Sequence, residues 1–310
     1  MNPFNHGWTP DSVWPRIQQQ VESWCDPSLP DFVPQDKRVA VFDLDGTLWC
    51  EKPGINELVF WRSELTNALT LPQHQQHQQH HPSIRSLINS VQPASQHDNP
   101  VLLAEQYASL FRRVFSDITV EAYQQKVKTW LSETRHPRFQ VSYQQLFYTP
   151  MLALMDYLRR HNFRCVINSG STTAFVQAWC QPWLAINEED VIGSQIGLFD
   201  EPHSFVINIG PEKVKQLKAK FAIKPLMAFG NTLGDAEQLH YVLEGNDRAI
   251  ACCIHHDDSN REYSYAFDPL LKLELKTRLQ RVEIVSIRDH WCEIFAFENP
   301  VKKERIPFAI

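Results

Sequence analysis

Two carboxylates two residues apart, Asp43 and Asp45, followed by Gly46 and Thr47, close a short apolar run in this 310-residue chain. From one turn, such a pair can divide a phosphoryl-transfer reaction. One carboxylate attacks phosphorus and carries it as an acyl phosphate, and the other shuttles the proton. Three further segments carry complementary residue types: Asn168-Ser169-Gly170, Gly210-Pro211-Glu212-Lys213 and Gly230-Asn231-Thr232-Leu233-Gly234-Asp235. Phosphate monoesters are dianions, so their hydrolysis is mostly positioning and charge neutralisation. Lys213 could neutralise the crowded negative charge. Thr47, Ser169 and the Gly170 N–H could hold phosphoryl oxygens. Mg²⁺ takes hard oxygen ligands, typically a few carboxylates plus the substrate phosphate, and keeps several waters. Asp43, the backbone carbonyl of Asp45, Asn231 and Asp235 could supply that set.

Each segment alone is a weak signal; four in order, each at a strand end or helix start, make a strong one. Val39 to Phe42 read as a buried strand that ends abruptly in acid and glycine. FRCVIN (163–168), EEDVIGSQI (188–196), KPLMAFG (224–230), RAIACCI (248–254) and RVEIVSI (281–287) read as further strands. Helices are expected at 150–161, 173–180, 211–221 and 233–243. Alternating strands and helices imply a parallel sheet covered on both faces. Between the first strand and the second, the stretch 51–147 has little strand pattern and helix-like runs at 56–70, 100–115 and 119–133. This stretch reads as a helical insertion over the carboxyl ends of the strands, where such sheets bind ligands. The chain has only ten glycines. Gly46, Gly170, Gly210, Gly230 and Gly234 all fall in the four segments, which implies backbone turns there.

Hydrophobic residues make up 43% of the chain and charged residues 21%, ordinary for a globular protein. The net charge of −6 argues against a general nucleic-acid binder, which needs a basic face. A small phosphorylated substrate needs only local positive charge. No run approaches the ~18 apolar residues of a membrane span, and the N-terminus lacks a signal pattern, so the cytoplasm is the expected location. The seven cysteines read as reduced residues, with the adjacent Cys252 and Cys253 pointing to opposite faces of a strand.

The four segments resemble the signature motifs of the haloacid dehalogenase superfamily of phosphatases. The likeness extends over DGTLWCE, RHPRF, PMLALMDYLR, VIGS, AFGN-T-LGD and HHDDSNREYSY, which are similar to a bacterial branch described as phosphoserine-phosphatase-like. The resemblance implies a Rossmann-like α/β core, residues 1–50 with 148–310, and a mobile helical cap, residues 51–147. It implies Asp43 as nucleophile and Asp45 as general acid and base, with Thr47 in the first motif. Ser169 and Lys213 match the second- and third-motif residues, and Asn231 and Asp235 the metal-binding fourth motif. The commonest fourth motif begins Gly-Asp. Gly230-Asn231 departs from it, as does the branch itself, and this argues against strict phosphoserine specificity.

Several readings compete. Lys213 lies among Lys215, Lys218 and Lys220, and a lysine run is ordinarily a solvated helix face, but Lys213 stands in the first turn beside the ligand edge. Ser169 could instead cap the following helix. Glu51, at the cap junction, could contact an amine or hydroxyl of the leaving group, or be an exposed hinge acid. His255, His256, Asp257 and Asp258 read as a polar loop at the pocket rim rather than a metal cluster. The tract QHQQHQQHHP (73–82) reads as a solvated loop, not a zinc site. The nine tryptophans, Trp49 and Trp179 among them, read as packing. Phosphotransfer to an acceptor other than water, or a weakly active binding protein that keeps the fold, are the alternatives to hydrolysis of a small phosphorylated metabolite. Dehalogenation, which needs neither a metal nor Asp45, is disfavoured.

Overall fold

The computed structural model describes residues 7–70, 105, 109, 118–197 and 205–298. The tract at 73–82 and most of the expected helix at 100–115 lie outside the described residues. Six parallel strands form one sheet in the order β3-β2-β1-β4-β5-β6. They are β1 (Val39–Phe42), β2 (Arg164–Thr172), β3 (Val191–Ser194), β4 (Met227–Gly230), β5 (Ile250–His255) and β6 (Glu283–Ser286). The continuous apolar run of β1 has its cause in this position. It is the central strand on which the order reverses, buried on both faces, with Val41 opposite Val166 on one side and Ala228 on the other.

Side chains alternate between two apolar layers. Ala40 and Phe42 join one with α1 (Trp14–Cys25) and α4 (Thr149–Arg160); Val39 and Val41 join the other with α7 (Pro211–Lys220) and α8 (Ala236–Leu243). Cys252 and Cys253 divide between the same two layers, as strand alternation requires, and all seven cysteines are free. Between β1 and β2 the helices α2 (Asn56–Thr70) and α3 (Val120–Glu133) form where expected. Their Phe60, Trp61, Tyr123 and Trp130 pack in one cluster with Phe175 and Trp179. Among the described residues no helix is long and apolar enough to cross a membrane.

Two expectations need correction. The run at 173–180 is not one helix: α5 (Thr173–Gln177) and α6 (Cys180–Leu184) are separated at Trp179, whose φ of −137° leaves the helical region. The segment Asn168-Ser169-Gly170 is not a turn: β2 runs through it and on through Ser171 to Thr172, with a register shift against β3 between Asn168 and Thr172. Gly170 is therefore a strand residue. Helices α1, α9 (Pro269–Lys276) and α10 (Ile287–His290) were not expected at all.

Candidate active site

The carboxyl ends of β1 and β4 deliver Asp43 and Asn231 to one edge of the sheet, and the first turn of α7 brings Lys213 beneath them. The Lys213 ammonium lies 2.5 Å from Asp43 Oδ1 and 2.6 Å from Asp235 Oδ1, with all three side chains buried. Two carboxylates thus share one ammonium, and the cluster is one positive charge short. Burial alone would lower the lysine pKa, but Asp235 and Asp43 outweigh it and hold the ammonium charged. The shortage falls on Asp43. Burial, then the charge of Asp235, push its carboxyl up to about 8 against the pull of Lys213. Its Oδ2 accepts a hydrogen bond from Thr47 Oγ1 at 3.0 Å. Asp235 Oδ2 is fixed by the backbone N–H groups of Asn231 and Thr232, both at 3.0 Å.

Asp45 is set differently. Trp49 Nε1 donates to its Oδ1 at 2.8 Å and Ser171 Oγ to its Oδ2 at 2.7 Å. Burial pushes its carboxyl up to about 6, opposed by those two donors. That lies within reach of both protonation states near neutral pH, as an acid–base group needs. The turn between Asp45 and Thr47 tolerates only glycine. Gly46 has φ +76°, and a Cβ there would stand 1.9 Å from Asn231 Nδ2. Gly230 is required for a different reason, close approach: its Cβ would meet the Asp235 side chain at 2.4 Å.

Asp43, Asp45, Glu51, Gly170, Lys213, Asn231 and Asp235 all line one cavity of about 520 Å³. Thr47 and Ser169 do not line it. Ser169 Oγ accepts from the Ser171 N–H at 3.0 Å, and the cap of α5 is Thr172. The hydroxyl residues that line the cavity from β2 are Ser171 and Thr172, two and three residues on, because the strand continues where the sequence suggested a turn. Glu51 is not an exposed hinge acid: it is buried, and its Oε1 accepts from Tyr265 Oη at 2.6 Å and Asn231 Nδ2 at 3.2 Å.

Sequence reading missed Glu57 and gave His256 and Trp49 lesser roles. Glu57, in the first turn of α2, accepts from Thr172 N at 2.7 Å, from Thr172 Oγ1 and from Tyr123 Oη. Burial, only partly offset by those donors, pushes it up to about 8. His256, half of the adjacent histidine pair, is buried. Its Nε2 lies 2.8 Å from the Gly46 carbonyl and its Nδ1 3.1 Å from Glu262 Oε2, so it braces the turn that carries Asp45. Trp49 packs against Trp179 as expected, but its indole N–H also orients Asp45. Glu57 carried a signal in sequence: an acid followed by an apolar helical run beside the first motif.

The donor set suits a hard cation. Among the described residues Asn231 Oδ1 is buried and has no hydrogen-bond partner, while its amide nitrogen is held by Glu51. An amide oxygen left bare beside Asp43 and Asp235 is a ready ligand for Mg²⁺, and a divalent ion would make good the missing positive charge. Among the described residues no three His, Cys, Asp or Glu side chains gather as a metal cluster. The cation would therefore rest on two carboxylates and neutral oxygens.

A family model described as haloacid dehalogenase-like hydrolase matches residues 40–240. No curated protein matches the chain. Among solved structures, a conserved functionally unknown protein from Anaerococcus prevotii DSM 20548 superposes with a TM-score of 0.56 at 14% identity, covering 92% of this chain and 94% of its own. A protein of unknown function from Bordetella pertussis Tohama I gives 0.47 at 12% identity, over 81% and 99% of the two chains. A phosphoserine phosphohydrolase-like protein from Francisella tularensis subsp. tularensis SCHU S4 gives 0.38 at 14%, over 77% and 99%. The first of these shares the fold.

Proposed function

The chain belongs to the haloacid dehalogenase-like hydrolases, and from that membership we propose a Mg²⁺-dependent phosphomonoesterase that works through a phosphoaspartate on Asp43. The observation that carries the reading is the buried Asp43–Lys213–Asp235 cluster with Asp45 beside it, opening into a single cavity. In this reading an Asp43 oxygen attacks phosphorus, and the bond from phosphorus to the leaving oxygen breaks. Asp45 donates its proton to that oxygen. In the second half Asp45, now a carboxylate, takes a proton from water as the water oxygen attacks phosphorus, which returns Asp43 and releases inorganic phosphate. Ser171 and Trp49 keep Asp45 aimed, and Lys213 offsets charge on the transferring group. Asp43, the Asp45 carbonyl, Asn231 and Asp235 would hold Mg²⁺, which when bound supplies charge neutralisation at the phosphoryl oxygens. Residues 51–147 would be the cap, resting on the rest of the chain through α2 and α3.

The direct test is Asp43→Asn, nearly isosteric but a poor nucleophile. With a panel of phosphate esters assayed with and without Mg²⁺, the variant should lose turnover by at least ~10³-fold and keep its melting temperature. Wild-type protein should be inhibited by beryllium fluoride, a mimic of phosphoaspartate. Near-normal turnover by the variant would refute the covalent route.

A further inference from the structure

Above its charged floor the cavity changes character. Ile55, Leu58 and Trp61 from the start of the insertion, and Ile196, Ile207 and Ile209 from the connection after β3, all line it. Leu58 and Ile207 are only half buried, and Ile209 remains 37% exposed. Apolar surface left wet inside a concavity favours an apolar occupant. The polar groups of the same walls are engaged with one another. Glu57 is taken by Thr172 and Tyr123. Ser194 Oγ donates to the Gly170 carbonyl at 2.6 Å and accepts from Asn208 N. Both ring nitrogens of His256 are in use, and the Lys52 ammonium sits 4.6 Å above the Tyr265 ring. A sugar or polyol brings several hydroxyls that must exchange their water for protein partners, and unpaired ones are costly when buried. On these walls Glu57, Ser194 and His256 have their donors and acceptors already matched internally. A volume of about 520 Å³ also exceeds what phosphate alone requires.

We propose that the alcohol portion of the substrate is apolar, an alkyl or aromatic group of several carbons seated between the Ile55–Leu58–Trp61 side and the Ile196–Ile207–Ile209 side. The proposal rests on the phosphomonoesterase reading. It assigns the wall residues to selectivity and leaves the floor to chemistry.

The experiment holds leaving-group chemistry constant by using primary alkyl esters only. Ethyl, butyl and hexyl phosphate are compared with glycerol 1-phosphate and ribose 5-phosphate by phosphate release with Mg²⁺, and acetyl phosphate serves as a small, activated phosphoryl donor. kcat/KM should rise about fourfold per added methylene, the gain expected from burying each one. Hexyl phosphate should exceed ribose 5-phosphate by at least tenfold. Leu58→Gln and, separately, Ile207→Asn should each flatten the chain-length dependence. A flat alkyl series in wild type, or ribose 5-phosphate turned over faster than hexyl phosphate, overturns the apolar assignment and leaves the phosphatase reading standing. No phosphate release from any ester or from acetyl phosphate overturns both.

Discussion

Glu57 offers a measurement independent of substrate. Its carboxyl is buried under α2, and its raised pKa comes first from burial. The folded value of about 8 stands above the ordinary 4.5. A carboxyl that binds its proton more tightly in the folded chain adds nothing below the unfolded value. As pH rises from about 4.5 towards 8, the native state must either hold that proton or bear a buried charge, so stability falls. Each pKa unit is about 1.4 kcal/mol, so the loss attributable to Glu57 between pH 5 and pH 8 is on the order of 3 kcal/mol. Glu57→Gln removes the titration. The amide fits the neutral bonding pattern: its oxygen can accept from Thr172 N, and its NH₂ can face the oxygens of Thr172 and Tyr123, each with a lone pair to offer. Wild type and variant should therefore melt together near pH 5 and diverge with rising pH. The variant should lead by about 5 °C at pH 8, given the unfolding entropy of a chain this long. Thermal melts at four pH values decide the matter. Curves that stay parallel from pH 5 to 8 would show that Glu57 is ionised and satisfied in the folded protein, and would refute the reasoning.

Other perturbations follow from the same geometry. Asp45→Asn should slow alkyl phosphates by ~10² to 10³-fold and p-nitrophenyl phosphate by less than about tenfold, since the activated leaving group needs little proton assistance; equal losses would count against Asp45 as the acid. Asn231→Asp should lower the Mg²⁺ concentration for half-maximal activity by roughly tenfold, and Asn231→Ala should raise it. Because Asn231 Nδ2 donates to Glu51, the aspartate would also confront that acid and cost the metal-free protein about 1–3 kcal/mol, read as a lower melting temperature without Mg²⁺. His256→Ala strips a partner from the buried Glu262 and should destabilise by about 3 kcal/mol, with Glu262→Gln in the same chain recovering part of it by thermal melt. Deleting 73–82 should leave hydrolysis and its Mg²⁺ requirement within about twofold, and tight zinc binding that vanishes with the tract would contradict its reading as a loop.

The sheet was legible because a parallel strand buried on both faces must be an unbroken apolar run, and VAVF, MAFG and IACCI are such runs. What escaped is equally physical. Small polar residues in Asn168-Ser169-Gly170 look like a turn, yet β3 alongside supplies partners that keep β2 extended to Thr172. Helix α1 does show a stripe, Trp14, Ile17, Val21 and Trp24, but the prolines and glutamines around it mask the period.

The site divides along the same line. Asp43, Lys213, Asn231 and Asp235 could be read because each stands at a strand end or a helix start, and the order of those elements carries them to one edge. Glu57, His256 and Tyr265 act through partners far away in sequence: Glu57 meets Thr172 across 115 residues, and Tyr265 meets Glu51 across 214. No local pattern encodes such a pairing. Ser171 shows how the two kinds of knowledge interact. The sequence points to a hydroxyl after β2, and the choice between Ser169 and Ser171 depends on how far the strand runs, which is decided by its neighbour. With β2 extended, Ser169 turns its oxygen to the Ser171 N–H and Ser171 turns its own to Asp45. The residue that tunes the proposed acid is therefore selected by sheet pairing, two positions beyond the one that motif spacing indicates.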